Sequence, residues 1–363
     1  MNIVADENIP YAREAFSGLG NVTLTHGRDL PSLDYVDALI VRSITKVNEA
    51  LLKGTNVKFV GTATIGFDHI DRDYLDANGI AFSSAPGSNS NSVSEYITAS
   101  LLVYAKEQGI ELAGKSIAVI GVGNVGSKVV QKCETLGMTV YKNDPPLADK
   151  TGDPSFLPLE DVLHADFVTF HVPLTKEGPY PTWHMANEKS LSRMNGVLFN
   201  SSRGSVVDEI ALKAALGKTV KAAMLDVWEH EPMPDPELAA RVSGGTPHIA
   251  GYSFDGKVNG TQMMYDAVCL KFGIESTWNA KDELPSGSSI ECSGESDEDV
   301  IRDAVLKAYD IRRDHSDFKA HMDEFDRLRK EYPRRREFQT FTVQTDASES
   351  VKRKLEGLGF NVL

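Results

Sequence analysis

Five residues, Ser116-Ile-Ala-Val-Ile120, run straight into Gly121-Val-Gly123-Asn-Val-Gly126, and this junction constrains the chain more than any other feature. The apolar run reads as a buried strand, and Val125 to Leu136 then repeats apolar residues at helical spacing. A Gly-x-Gly-x-x-Gly pattern carries meaning only between a strand and a helix, which is its context here. Gly121 permits the tight turn, Gly123 lets backbone approach a pyrophosphate, and Gly126 lets the helix lie close to the sheet. Asn124 and Val125 open the helix, whose N-terminus faces the phosphates. Asp144 ends the next strand, where a carboxylate accepts from a ribose diol and repels a 2′-phosphate. NAD is therefore the expected cofactor; the competing reading is a Gly-rich structural turn.

Strand–helix–strand alternation extends on both sides of this junction. Short apolar runs at Met1–Ala5, Ala38–Val41, Val57–Gly61 and Gly79–Ser83 predict one parallel α/β layer. Runs at Ser116–Ile120, Thr139–Lys142, Asp166–His171, Val197–Asn200 and Ala222–Val227 predict a second, doubly wound one. Between them, Gly87 to Ser92 reads as a loop or hinge, and Ser92 with Glu95 has capping-box spacing for a helix ending near Gly109. A further helix is expected over 254–274, a Ser/Gly/acid-rich linker over 276–299, and charged helices over 300–330. There Phe318, Met322, Phe325 and Leu328 form an apolar stripe suited to a subunit contact. The tail from Phe338 to Leu363 reads strand, helix, strand.

Composition narrows the class. A net charge of −14 argues against nucleic acid as partner, and the Arg334-Arg335-Arg336 run reads as a solvated face or subunit salt bridges. Three separated cysteines without a CxxC pair support neither a zinc knuckle nor a disulfide framework, so a reducing cytoplasm is expected. Asp6 and Glu7 stand where a signal peptide would be apolar, and no apolar run is long enough to span a bilayer. His164, His171 and His184 lack metal-ligand spacing, so no metal is expected.

Three more motifs sit at strand ends, where open α/β sheets bind ligands. Asn200-Ser201-Ser202-Arg203-Gly204 presents a guanidinium that can grip a carboxylate bidentately. Leu225-Asp226-Val-Trp-Glu-His-Glu231-Pro places Asp226 toward a nicotinamide and offers Glu231 to orient a histidine. Pro247-His248-Ile-Ala-Gly251-Tyr252 supplies that histidine, a general acid–base whose ordinary pKa is close to working pH. Read singly, Arg203 is more readily a surface arginine at a turn, the Asp226–Glu231 run a charged exposed turn, and His248 a structural or exposed histidine.

Taken in this order, the motifs resemble the D-2-hydroxy-acid dehydrogenase family. The resemblance implies a substrate domain (1–92 with 252–275) and an inserted Rossmann NAD domain (93–251). It also implies a catalytic trio of Arg203, Glu231 and His248. Segments such as Asp6-Glu-Asn-Ile-Pro-Tyr-Ala12, Val41-Arg-Ser-Ile-Thr-Lys-Val-Asn48 and Gly61-Thr-Ala-Thr-Ile-Gly-Phe-Asp-His69 narrow it. With the tail, they are similar to one branch that oxidises a phosphorylated hydroxy acid for pyridoxal 5′-phosphate synthesis. That branch implies a small α/β C-terminal dimerisation domain (300–363) and a homodimer. By motif, Ser43, Thr64 and Tyr252 would contact substrate, and Val172, Ser201, Ser202, Asp226 and Gly251 would join Asp144 around NAD. Arg42 and Lys46, with Lys257, are the cations available for a substrate phosphate. Two readings stay open: a related phosphoglycerate, glycerate or lactate dehydrogenase, and a non-catalytic NAD-sensing binding protein.

Overall fold

A computed structural model describes all residues, Met1 to Leu363. They form two compact units, Met1–Asn89 with Ser253–Ser286, and Ser90–Tyr252 with Gly287–Leu363. No helix is long and apolar enough to cross a membrane.

The first unit is built on five parallel strands: β1 (Asn2–Asp6), β2 (Asn21–Thr25), β3 (Ala38–Val41), β4 (Phe59–Thr62) and β5 (Ala81–Ser83). Their order is β2-β1-β3-β4-β5. β3 and β4 are buried along their whole length, as expected of a parallel sheet covered on both faces. The helix Phe254–Phe272 returns to this unit and lays Met264, Tyr265 and Val268 against Phe16 and Phe59. β2 carries no sequence signal because it is a half-exposed edge strand whose alternation mixes Val and Leu with Thr and Asn.

The second unit holds six parallel strands: β6 (Ser116–Ile120), β7 (Thr139–Asn143), β8 (Phe167–Phe170), β9 (Gly196–Asn200), β10 (Val220–Leu225) and β11 (Gly244–Gly245). The order β11-β10-β9-β8-β6-β7 reverses at β6. The crevice beyond the carboxyl ends of β6 and β8 is thus the switch point where such sheets bind ligands.

A third sheet, β12 (Ser288–Glu291), β13 (Phe341–Gln344) and β14 (Asn361–Val362), is also parallel. β12 lies inside the segment expected to be a linker. Its polar Ser-Ser-Ile-Glu sequence gives no burial signal, yet its backbone completes the ladder with β13. The C-terminal region shares its core with the NAD-domain helices: Phe338, Val343, Leu355 and Leu358 cluster with Leu102, Val129 and Cys133. All three cysteines are buried free thiols. The expected subunit-contact stripe is spent internally. Phe318 and Phe325 are buried, with Met322 and Leu328 packed in the same cluster as Trp228 and Leu238.

Two local expectations change for a common reason. The helix begins at Ser90 rather than Ser92, so Ser92 and Glu95 are buried interior residues and form no cap. Arg335, expected on a solvated face, is buried and donates from Nη2 to the carbonyls of Ser92 (2.7 Å) and Ala250 (2.9 Å). Its guanidinium lies 4.1 Å from the Tyr309 ring centroid. Glu337 accepts from the Ser92 hydroxyl, and Glu95 accepts the Phe338 N–H. Tertiary packing, which short-range periodicity does not encode, therefore turns an apparent cap and an apparent surface into one buried polar network.

Burial, and then the nearby Glu337 carboxylate, push the Glu95 carboxyl up to about 8. A folded-state value above the unfolded one means that folding binds a proton there, so the stability this group contributes is lost as pH rises from about 4.5 toward 8. Glu95→Gln, a shape match for the neutral acid, should flatten that decline. Urea unfolding at pH 6 and pH 8 should show a gain over the wild type at the higher pH.

Candidate active site

The glycine turn sits at the switch point. Gly121 has φ +86°, and a Cβ there would come within 2.7 Å of the His171 carbonyl oxygen and 2.8 Å of Val172 Cγ1. The loop after β6 thus lies against the loop after β8. A Cβ on Gly126 would be 1.9 Å from the Gly121 oxygen, so the helix Asn124–Thr135 can approach only without a side chain there. A Cβ on Gly123 would meet nothing within 4 Å, and no side chain caps this helix N-terminus. Open space over Gly123 before uncapped helix amides fits a pyrophosphate. Asp144 Oδ2 accepts the Val122 N–H at 2.7 Å, and Oδ1 accepts that of Leu147 at 3.0 Å. It thereby fastens the glycine loop to the next helix, with lone pairs left on both oxygens for ribose hydroxyls. Burial pushes His171 down to about 3, so this strand-end imidazole is neutral at ordinary pH.

The second constellation is assembled from three loops. Asn200 Oδ1 accepts from the Ser202 backbone (3.1 Å) and hydroxyl (2.9 Å), while its Nδ2 donates to the Arg203 carbonyl (2.9 Å). Arg203 Nη1 donates to the Ser202 carbonyl. The Ser201 hydroxyl is buried and has no protein partner. A Cβ on Gly204 would stand 1.9 Å from the Trp228 carbonyl oxygen. That close approach sets the Arg203 loop directly on the loop leading to Glu231.

Glu231 and His248 are paired. Glu231 Oε2 lies 2.8 Å from His248 Nδ1, and Oε1 accepts the Trp228 N–H at 3.0 Å. Desolvation alone would raise the Glu231 carboxyl, but the His248 bond and charge, the Trp228 N–H and the Arg329 charge outweigh it and hold it below its ordinary value. An ionised Glu231 on Nδ1 fixes that nitrogen as the N–H and leaves Nε2 as the proton-exchanging atom.

Asp226 has a different immediate task from the one read in sequence. Its buried carboxylate accepts from Thr246 Oγ1 (2.7 Å), Ile249 N (2.7 Å) and Ala250 N (3.0 Å), and its carbonyl accepts from His248 N (2.7 Å). These bonds hold His248 at φ +58°, a left-handed conformation that needs outside support in a non-glycine residue.

His184 stands in no motif of the sequence. In the structure its Nε2 lies 2.6 Å from Glu229 Oε1, its ring stacks on Trp183 at 3.8 Å, and Glu209 Oε1 accepts the Glu229 N–H. This cluster braces the turn between Asp226 and Glu231. The signal that could have found it is the unassigned Glu229 within the Asp226–Glu231 motif.

In the first unit, Arg42 and Ser43 follow β3, which with β1 flanks that sheet's reversal of order. Lys46 is exposed. The Thr64 hydroxyl bonds Thr62 Oγ1 (2.7 Å) and the Gly66 carbonyl (2.9 Å). Lys257 is exposed overall, yet desolvation of its ammonium and then the like charge of Arg42 hold it below its ordinary value. In the second unit, Gly251 leads to Tyr252, whose hydroxyl accepts from Arg329 Nη2 at 3.0 Å.

Comparison with known proteins agrees with this geometry. Residues 91–250 match the NAD-binding domain of D-isomer specific 2-hydroxyacid dehydrogenases, and residues 284–359 match a domain of unknown function. NAD is the cofactor of this domain. An erythronate-4-phosphate dehydrogenase from Yersinia enterocolitica is 44% identical, with 99% of each chain aligned. One from Psychromonas ingrahamii is also 44% identical, covering 100% of this chain and 97% of that protein. Among solved structures, a D-lactate dehydrogenase from Aquifex aeolicus, complexed with NAD and lactic acid, is 26% identical with a TM-score of 0.59, covering 75% of this chain and 96% of its own. A formate dehydrogenase from Staphylococcus aureus in complex with NAD shares the fold at 21% identity and a TM-score of 0.59, covering 77% of this chain and 97% of its own. The chain belongs to the erythronate-4-phosphate dehydrogenase family of D-isomer-specific 2-hydroxyacid dehydrogenases.

Proposed function

We propose that this enzyme oxidises C2 of 4-phospho-D-erythronate, giving (R)-3-hydroxy-2-oxo-4-phosphobutanoate in pyridoxal 5′-phosphate synthesis. The observation that carries the reading is the 2.8 Å Glu231–His248 pair on a glycine-loop NAD domain, in a chain 44% identical end to end to enzymes named for that substrate.

Bound NAD supplies the hydride acceptor for C2. The protein's residues handle the oxygen and the charges. Arg203 pairs with the substrate carboxylate and polarises the C2 oxygen. His248 Nε2 takes the hydroxyl proton as the C2–H electron pair departs, so neither an alkoxide nor a carbocation has to form alone. Glu231, already ionised, stabilises the resulting imidazolium through Nδ1. Ser43, Thr64 and Tyr252 are assigned to the substrate. Asp144, Val172, Ser201, Ser202, Asp226 and Gly251 are assigned to NAD, Asp226 through the loop it shapes.

The substrate phosphate calls for cations. Arg42 and Lys257 oppose each other electrostatically, a tension that an intervening dianion relieves, and Lys46 adds positive charge nearby in sequence. We also read the enzyme as a cytoplasmic homodimer. Three buried free thiols support a reducing compartment, and the exposed edge strand β12 supports a further chain on that sheet.

His248→Ala should lower turnover by about 10²–10⁴ while leaving NAD affinity near wild type, measured by steady-state kinetics and calorimetric titration. Unchanged turnover would remove His248 from the mechanism. A substrate panel should favour 4-phospho-D-erythronate over D-erythronate and 3-phosphoglycerate. Lys257→Met should raise KM for the phosphorylated acid far more than for D-erythronate. A preference for another acid would retain the dehydrogenase and discard the pathway step; NAD binding without turnover of any 2-hydroxy acid would favour a binding protein.

A further inference from the structure

The C-terminal segment reaches the loops that carry the catalytic pair. Phe318 stacks on Trp228 with ring centroids 5.2 Å apart, beneath the backbone whose N–H holds Glu231. Arg335 donates to the Ala250 carbonyl, two residues beyond His248. Tyr332 sets its ring edge on Tyr252, with centroids 6.0 Å apart at 80°. The Tyr332 hydroxyl is held by Asp314, which also accepts from Tyr309, so the ring on Tyr252 is itself anchored. Every one of these residues lies in the same compact unit.

Arg329 stands out within this group. Its Nη2 donates to the Tyr252 hydroxyl at 3.0 Å. Its guanidinium carbon lies 5.7 Å from the Tyr252 centroid and 5.9 Å from that of the buried Phe325. Its Nε is shielded from water with no protein partner. Its charge is also among those that keep Glu231 ionised. One cation therefore acts on two residues of the proposed site. By filling an acceptor position on the phenol, it commits the Tyr252 proton to donation, the polarity an anionic substrate requires. By lending positive charge to Glu231, it offsets part of the desolvation cost of that carboxylate.

We infer that Arg329 is a positioning residue for the oxidation, through which the C-terminal segment orients Tyr252 and supports the Glu231–His248 pair. The inference rests on the reading of Glu231, His248 and Tyr252 as the reacting site. It does not depend on which 2-hydroxy acid is the substrate. The segment matched only as a domain of unknown function then has a part in turnover, apart from any role in assembly.

The test is a double-mutant cycle on the full-length enzyme: wild type, Arg329→Met, Tyr252→Phe and the double variant, with Arg329→Lys as the conservative control. Each is assayed with 4-phospho-D-erythronate, or with whichever 2-hydroxy acid the wild type oxidises fastest. A failed substrate assignment is thus seen in the wild type alone and leaves the cycle intact. Losing a charge-assisted hydrogen bond should reduce kcat/KM about tenfold to a hundredfold in Arg329→Met. Arg329→Lys should recover part of that loss. The double variant should lose clearly less than the product of the two single losses, because both changes break the Arg329–Tyr252 contact. NAD affinity and melting temperature should stay near wild type. If Arg329→Met does not fold, Arg329→Gln takes its place in the cycle. A kcat/KM within twofold of wild type, or losses that multiply in the double variant, would overturn the inference. So would a loss matched by equal falls in NAD affinity and melting temperature, which marks a purely structural role.

Discussion

One buried carboxylate organises the loops around the Glu231–His248 pair. Asp226 leaves β10 and receives two backbone N–H groups and a hydroxyl from the chain between Thr246 and Ala250. An unpaired charge in that position would be costly, since burial already pushes its pKa upward. The bonds that offset this cost also dictate the path of the His248 loop. The imidazole meets Glu231 because its backbone has been turned into the left-handed region and held there. The geometry of the His–Glu pair is thus a consequence of how a strand end satisfies its own buried charge.

Close backbone approach performs the complementary task. Gly126 against Gly121, and Gly204 against Trp228, bring loops together at distances that exclude any side chain. The first contact shapes the glycine turn at the start of the helix Asn124–Thr135. The second joins the Arg203 turn to the Glu231 turn, so the loops after β9 and β10 behave as one scaffold. Functional sites on α/β sheets are built from loops, and rigidity has to be supplied by such contacts rather than by regular hydrogen-bonded structure.

The sequence discloses the parts of this design that depend on local order. Gly121-x-Gly123-x-x-Gly126 between an apolar run and a helix identifies the NAD domain because chain chemistry and its context are adjacent. The parallel strands from β6 to β10 are equally legible, being short apolar runs at regular intervals. What is hidden is set at long range. Arg335 looks solvated among its basic neighbours but closes a buried network with residues some 240 positions earlier, and Glu95 looks like a cap. His184 meets Glu229 from 45 positions away, and Glu209 in turn accepts the Glu229 N–H, pairings that no local spacing encodes. β12 is polar and exposed, and only its backbone pairing makes it a strand.

The joint core of the C-terminal segment and the NAD domain limits what the protein can lose. Phe318 covers Trp228, and Leu355 and Leu358 share a cluster with Leu102 and Val129, so each side now presents apolar surface shaped to the other. Deleting the segment would expose that surface on the remaining protein, an aggregation hazard as well as a loss of stability. Such shared apolar surface works as a ratchet: the segment's outer face can change at little cost, whereas the segment itself cannot be removed without uncovering its partner.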